Sequence, residues 1–176
     1  MAKKTLDIEL QTARDAHEIL PSQVYVGAML EIPSLYFSLR KNIHLFDFIS
    51  VGTNDLKQFF FASDRGNRLL FSRYDNLSVS FLSFLKEIAE ISSKAKVPCS
   101  VCGEMAGNPL EALVLIGLGF RSFSMNPSNL LKVKIALRNL NCAEFSGYLK
   151  RLLLTENTSL RLAVESYLRD HKVLEG

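Results

Sequence analysis

The sequence has 176 residues, of which 48% are hydrophobic and 22% are charged, so it can bury the core of an ordinary soluble domain and is not expected to be disordered. Its net charge is only +3 and its 21 lysines and arginines are spread along the chain, so the composition predicts no nucleic-acid partner. No apolar stretch is long enough to span a bilayer, and the polar N-terminus excludes a secretory signal, so we expect no membrane partner.

Hydrophobic spacing and helix-breaking residues predict strands that alternate with helices. In chain order the expected elements are a polar helix over residues 6–19, a strand over 24–30, a helix over 33–40, a strand over 46–51, a helix over 56–62, a long helix over 78–94, a strand over 97–101, a helix over 109–118, a strand over 121–125 and helices over 128–137, 143–153 and 159–170. The tetrapeptide 52–55 (GTND) is expected to break the chain before the third helix, and Ser78 to cap the long one.

This order of elements predicts an α/β fold made of parallel βα repeats. We divide the chain into an N-terminal helical lead-in (1–23), four βα units (24–140) and a C-terminal helical tail (141–176). Because the strands are apolar almost throughout, their sheet should be covered on both faces or closed into a barrel. Four units cannot close an eight-stranded barrel, so this half pairs with another copy, belongs to a larger protein, or forms an open doubly wound sheet.

Polar residues follow each predicted strand directly. They are Glu31, the tetrapeptide 52–55, the tripeptide 102–104 and the tripeptide 124–126. In a parallel barrel these positions meet on the rim at the carboxyl ends of the strands, where ligands bind. The sequence therefore predicts one site built from separate loops.

The side chains on this rim suit a metal and a phosphate. Glu31 and Asp55 are two carboxylates at neighbouring strand ends, which is what Mg²⁺ needs when water and phosphate oxygens complete its shell. Arg65 adds a planar cation that can grip a phosphate. Each residue also has a structural explanation: Glu31 as a helix-start charge, Asp55 as a cap, Arg65 as a surface cation and Cys102 as a small buried hydrophobe.

The cysteines are Cys99, Cys102 and Cys142, an odd number in a chain without an export signal. This favours a reduced, cytoplasmic protein without disulfides. Cys99 and Cys102 have the spacing of a redox or zinc pair, but no second pair supplies the other zinc ligands, so we expect neither chemistry.

Five blocks of sequence, in order, resemble the signature blocks of the phosphoenolpyruvate-utilising enzymes. They are residues 29–33 (MLEIP), 50–56 (SVGTNDL), 62–67 (ASDRGN), 102–107 (CGEMAG) and 123–125 (FSM). Within this superfamily the chain is more similar to enzyme I of the bacterial phosphotransferase system than to pyruvate phosphate dikinase. Residues 102–109 (CGEMAGNP) and 119–121 (GFR) are similar to the nitrogen-related paralogue. The chain has Ser78-Val79-Ser80 where the family usually carries His-Pro-Ala.

The resemblance implies that the chain is the C-terminal half of a (β/α)8 TIM barrel with added C-terminal helices. It implies that Glu31 and Asp55 hold Mg²⁺ and that Asn54 and Asp55 bind phosphoenolpyruvate. Arg65 would grip the phosphate of that substrate, and Cys102 would protonate the enolate as pyruvate forms. Cys99 is expected only to pack.

The resemblance also implies partners and a limit. The family transfers the phosphoryl group to a histidine of a separate domain, from which it passes to a histidine-phosphorylated carrier protein, and its barrel domains pair as homodimers. Neither that domain nor two further phosphate-binding arginines of the family lie in this sequence, so this chain alone is expected not to turn over. Alternatives are a fragment of pyruvate phosphate dikinase or phosphoenolpyruvate synthase, and a noncatalytic remnant or dimerisation module.

Overall fold

The strands form a single parallel sheet. The computed structural model describes residues 2–64 and 74–174, and in these residues the strands are β1 (Gly27–Leu30), β2 (Phe48–Gly52), β3 (Cys99–Cys102) and β4 (Ser122–Ser124). They pair in the order β1-β2-β3-β4, which is their order along the chain. Leu30, Val51, Val101 and Phe123 lie in one register row across the sheet. The α/β class and the parallel βα repeats predicted from the sequence are therefore confirmed.

Helices connect the strands and extend beyond them. They are α1 (Ala2–Asp15), α2 (Pro33–Asn42), a 3₁₀ turn (Ile43–Leu45), α3 (Thr53–Phe60), α4 (Val79–Ala95), α5 (Glu104–Gly107), α6 (Pro109–Leu118), α7 (Pro127–Arg138), α8 (Cys142–Leu152) and α9 (Arg161–Asp170). Proline occupies the first turn of α2, α6 and α7, where its missing N–H would have no helical partner. The side chains of Asn108, Asn126 and Asn141 cap α6, α7 and α8.

The two faces of the sheet differ in burial. Ile49, Val51 and Val101 alternate onto the face that packs against the helices and are fully buried. The opposite face carries Ser50 and Cys102, and its large side chain Met29 is 48% exposed. One face therefore forms the core, and the other forms the inner wall of half a barrel.

Several predicted boundaries are wrong. The first strand begins at Gly27 rather than at residue 24, since Val24 and Tyr25 lie exposed before it. Residues 53–55 are not a break, because α3 begins at Thr53 directly after the strand. Ser78 precedes α4 as expected, but its hydroxyl forms no capping hydrogen bond and, within the described residues, is buried without a partner.

The C-terminal helices share the core of the βα units. Phe145 and Leu149 of α8 are buried, and a Cβ on Gly117 of α6 would lie 2.4 Å from Leu149 Cδ1, so this glycine allows the two helices to approach closely. Val164 and Leu168 of α9 are fully buried in the same cluster. In the described part of the chain, no helix combines the length and the apolar composition needed to cross a membrane.

Candidate functional site

The predicted rim is formed at the carboxyl ends of the strands. Leu30 and Val51 are register partners, so Glu31 and Gly52 are the next residues along the neighbouring strands β1 and β2. A Cβ on Gly52 would lie 3.4 Å from Glu31 Oε2, so the carboxylate of Glu31 rests against the start of α3. Asp55 lies partly buried in the first turn of that helix. The structure therefore places the two predicted magnesium ligands at adjacent strand ends.

Hydrogen bonds join the start of α3 to the loop after β3. Thr53 Oγ1 donates to the carbonyl oxygen of Cys102 at 2.9 Å, and Asn54 Oδ1 accepts from the backbone N–H of Glu104 at 3.2 Å. Gly103 lies between these two contacts with φ +105° and ψ −174°, a backbone conformation open to glycine alone. This loop and this helix are therefore held as one unit.

The thiol of Cys102 points onto the inner face of the sheet. Its Sγ lies 3.4 Å from the carbonyl oxygen of Val51, to which it can donate, and 3.6 Å from Ser50 Oγ. Cys99 is three residues earlier on the same strand and faces the core, where burial raises the pKa of its thiol. The packing role predicted for Cys99 agrees with this position, and both thiols are free.

A cavity of about 420 Å³ opens beside Cys102. Its walls come from three strand ends and are formed by Asn54, residues 102–104, Gly107, residues 124–126 and Asn129. Asn54 and Cys102, which were predicted separately to bind substrate and to donate a proton, therefore line one cavity.

Not every predicted residue can be placed in this site. Arg65 lies outside the described residues. Within residues 2–64 and 74–174, no group of three or more His, Cys, Asp or Glu side chains gathers as a metal cluster.

Sequence reasoning placed Thr53 on the rim within the tetrapeptide 52–55, but it missed the contacts of Thr53 and Ser50 with Cys102. Both belong to the block 50–56, yet nothing in their spacing indicates a bond to a strand some fifty residues later.

Comparison with known proteins places this rim in a family. The family described as "PEP-utilising enzyme, PEP-binding domain" matches residues 1–142. A protein of Salmonella typhimurium named "Phosphoenolpyruvate-dependent phosphotransferase system" is 42% identical over 128 residues, which are 73% of this chain and 17% of that protein. A protein of Escherichia coli with the same name is 38% identical over 146 residues, which are 81% of this chain and 20% of that protein.

A protein of Borreliella burgdorferi named "Phosphoenolpyruvate-protein phosphotransferase" is 38% identical over 128 residues, or 22% of its own length. The chain thus spans about a fifth of the length of these curated relatives. The matched segment contains all four strands and the whole rim described above.

Proposed function

The chain belongs to the PEP-utilising enzymes, within their PEP-binding domain, and from this we propose that it is the substrate-binding part of a PEP-protein phosphotransferase. In this proposal the whole enzyme moves the phosphoryl group of phosphoenolpyruvate to a protein histidine and releases pyruvate in the cytoplasm. A phosphocarrier protein then receives the group. These 176 residues bind the substrate and do not complete the reaction, because the accepting histidine belongs to another domain of the family.

One observation carries this proposal: Asn54 and Cys102 line a single cavity at the carboxyl ends of parallel strands. This rim is where ligands bind in parallel barrels. The cavity is lined by a thiol and an amide, with the carboxylate of Glu31 at the next strand end. Such a set can orient a small phosphorylated acid and deliver one proton to it.

The residues present fit Mg²⁺. Glu31 and Asp55 offer hard carboxylate oxygens at adjacent strand ends, and Gly52 leaves room for the Glu31 carboxylate beside α3. Magnesium is commonly held through one or two carboxylates, with water and phosphate oxygens as its other ligands. When bound, it would supply positive charge to the phosphoryl oxygens.

The protein residues would divide the remaining work. Asn54 would fix the orientation of phosphoenolpyruvate, while its Oδ1 keeps the 102–107 loop in place through the Glu104 N–H. As the P–O bond to the phosphoryl group breaks, the electron pair stays with the enolate. The Cys102 thiol would then transfer its proton to the methylene carbon, which becomes the methyl group of pyruvate. Arg65 is proposed to contact the phosphate.

Calorimetric titration of the chain with phosphoenolpyruvate, with and without Mg²⁺, tests this function. We expect binding that requires Mg²⁺ and that weakens at least about tenfold in Asp55→Asn, a loss of about 1.4 kcal/mol. Asp7→Asn is the matched control, because it removes the same charge from an exposed position on α1. Absence of binding in a folded sample, or equal binding by both variants, would contradict the proposal.

The exposed face of the sheet supports a second candidate, a dimerisation role. In the described part of the chain, β1 and β4 each have one strand neighbour, and Met29 and Phe48 are 48% and 40% exposed. Unpaired edges favour association with a further strand. Sedimentation at increasing concentration tests this role; a constant monomer mass at the highest concentration would exclude it.

A further inference from the structure

An ion cluster joins the C-terminal helix α9 to two other parts of the fold. Arg161, the first residue of α9, donates from Nη2 to Asp75 Oδ1 at 2.6 Å and to Glu111 Oε1 at 2.8 Å. Its Nε donates to Asp75 Oδ2 at 3.0 Å. One guanidinium therefore bridges two carboxylates, one before α4 and one in the first turn of α6.

The second oxygen of Glu111 also has a donor, and Asp75 Oδ2 has a second one. Asn76 Nδ2 donates to Glu111 Oε2 at 2.9 Å, and Ser159 Oγ donates to Asp75 Oδ2 at 2.6 Å. We call Asp75, Asn76, Glu111, Ser159 and Arg161 the Arg161 cluster. Its polar groups are well satisfied, as buried charges require.

Burial makes this cluster sensitive to the loss of one charge. Glu111 is only 5% exposed, and Lys57 of α3, also 5% exposed, lies within the electrostatic reach of Glu111 and Asp75. Burial lowers the pKa of Lys57, and these carboxylates oppose that effect. Burial alone would raise the pKa of Asp75, but hydrogen bonds from Arg161, Leu77 and Ser159 hold it below its ordinary value. Two cations and two carboxylates thus balance each other.

Contacts other than those of Arg161 already attach α9 to the rest of the fold. The N–H of Leu160 donates to the carbonyl of Leu77 at 2.8 Å, and the N–H of Val79 donates to that of Thr158 at 3.2 Å. These backbone bonds already join the segment before α4 to the segment before α9, while Val164 and Leu168 anchor the helix in the core. The reach of Arg161 to Glu111 is an additional constraint, directed at α6.

One rim element contains Glu111 of this cluster, and the other contains Lys57, which lies within electrostatic reach of it. Lys57 is two residues after Asp55 in α3, and Glu111 is four residues after Gly107. Asn108, between that loop and Glu111, accepts the Glu111 N–H on its Oδ1 at 3.2 Å. A shift of Glu111 would therefore move Asn108 and, with it, the end of the loop formed by residues 102–107.

We propose that Arg161 is a positioning residue: through Glu111 and Asp75 it fixes the rim turns 53–57 and 104–111 relative to each other. Its relevance to substrate binding rests on the function proposed above, but the coupling itself does not. Removal of the guanidinium would take the Arg161 donors away from Asp75 and Glu111, would leave Glu111 its hydrogen bond from Asn76, and would leave an excess negative charge beside Lys57. The two turns should then open more often.

Amide hydrogen exchange of the full chain, without ligand, tests this coupling. Arg161→Gln is compared with Arg169→Gln, which removes an exposed arginine from the same helix. We expect exchange of residues 53–57 and 104–111 to accelerate about tenfold in Arg161→Gln and to stay at the wild-type rate in Arg169→Gln. Unchanged exchange in both turns of folded Arg161→Gln would overturn the proposal.

Two additions keep the test decisive. If Arg161→Gln does not fold, Asp75→Asn, which keeps the side-chain shape, should accelerate amide exchange in the same turns about threefold, and unchanged rates would overturn the proposal.

The second addition is a titration of the wild type and of Arg161→Gln with phosphoenolpyruvate and Mg²⁺. If the wild type does not bind, the proposed function fails while the exchange rates still decide the coupling. If it binds and Arg161→Gln binds equally well, the positioning role is wrong.

Discussion

Among glycine-to-alanine substitutions on the described rim, Gly103→Ala should damage the site most. Gly103 has φ +105° and ψ −174°, and a Cβ there would lie 2.5 Å from Thr53 Oγ1 and 3.1 Å from Asn54 Oδ1. Thr53 is only 1% exposed, so it cannot move aside without disturbing the core. The added carbon would meet the very atoms that hold the Cys102 loop.

The expected cost follows from strain and lost bonds. Forcing a residue other than glycine into this backbone region costs about 1–3 kcal/mol. Losing the hydrogen bonds from Thr53 to Cys102 and from Glu104 to Asn54 adds about 0.5–1.5 kcal/mol for each bond. The free energy of unfolding should fall by about 4 kcal/mol, and the melting temperature by roughly 10 °C for a domain of this size.

Gly119→Ala is the matched control. Gly119 also has a positive φ of +116°, but a Cβ there would meet only Ala89 Cβ, at 3.8 Å. It therefore has a positive-φ backbone, with ψ −2° rather than −174°, without the collision. In urea unfolding followed by circular dichroism, Gly103→Ala should lose at least about 1 kcal/mol more than Gly119→Ala. An equal or smaller loss would refute the reasoning about the contacts of Gly103.

Three further outcomes are expected. In D₂O with Mg²⁺, exchange of the methyl protons of pyruvate should fall to background in Cys102→Ala and persist in Cys99→Ala; exchange that persists in Cys102→Ala would remove the thiol from the mechanism. Gly147→Ala should stabilise α8 by about 0.5–1 kcal/mol in urea unfolding, because the nearest atom to its Cβ is 4.0 Å away, and a loss of stability would contradict this. The folded pKa of Asp75 lies below its ordinary 3.8, so its stabilisation is present above about pH 4 and is lost as the pH falls through the folded pKa. Asp75→Asn should accordingly flatten the loss of stability measured between about pH 5 and pH 2, and an unchanged slope would show that this carboxyl is not responsible.

The strands and their order were predictable because their signals are local. β1 and β2 are short, largely apolar runs, and polar residues such as Glu31 or the tripeptide after Val101 mark strand ends, whereas β4 has a single apolar residue, Phe123. The rule that ligands gather at the carboxyl ends of parallel strands then brings Asn54 and Cys102 together without any knowledge of side-chain contacts. Val24 and Tyr25 are apolar but exposed, and composition does not reveal exposure, which is why residues 24–26 were assigned wrongly to β1.

The start of α3 shows how a site can override local preference. Gly, Thr, Asn and Asp in succession are typical of a turn, so the sequence predicts a break over residues 52–55. In the structure Thr53 and Asn54 are helical, and their side chains bond across to the 102–104 loop. The side chains of Thr53 and Asn54 bond to the 102–104 loop instead of closing a turn on their own backbone. The same residues therefore start a helix and build the rim.

The Arg161 cluster marks the limit of reasoning from the sequence. Asp75 and Arg161 are 86 residues apart, and Glu111 is 50 residues from Arg161, so no periodicity relates them. Each looks like an ordinary charge near a helix start, and only burial distinguishes Glu111 from a solvated carboxylate. Local patterns can therefore identify residues that line the cavity. How firmly their turns are held depends on partners that only the fold brings together. In our proposal, the tail helices therefore help to set the geometry of the rim through Arg161, although none of their described residues lines the cavity.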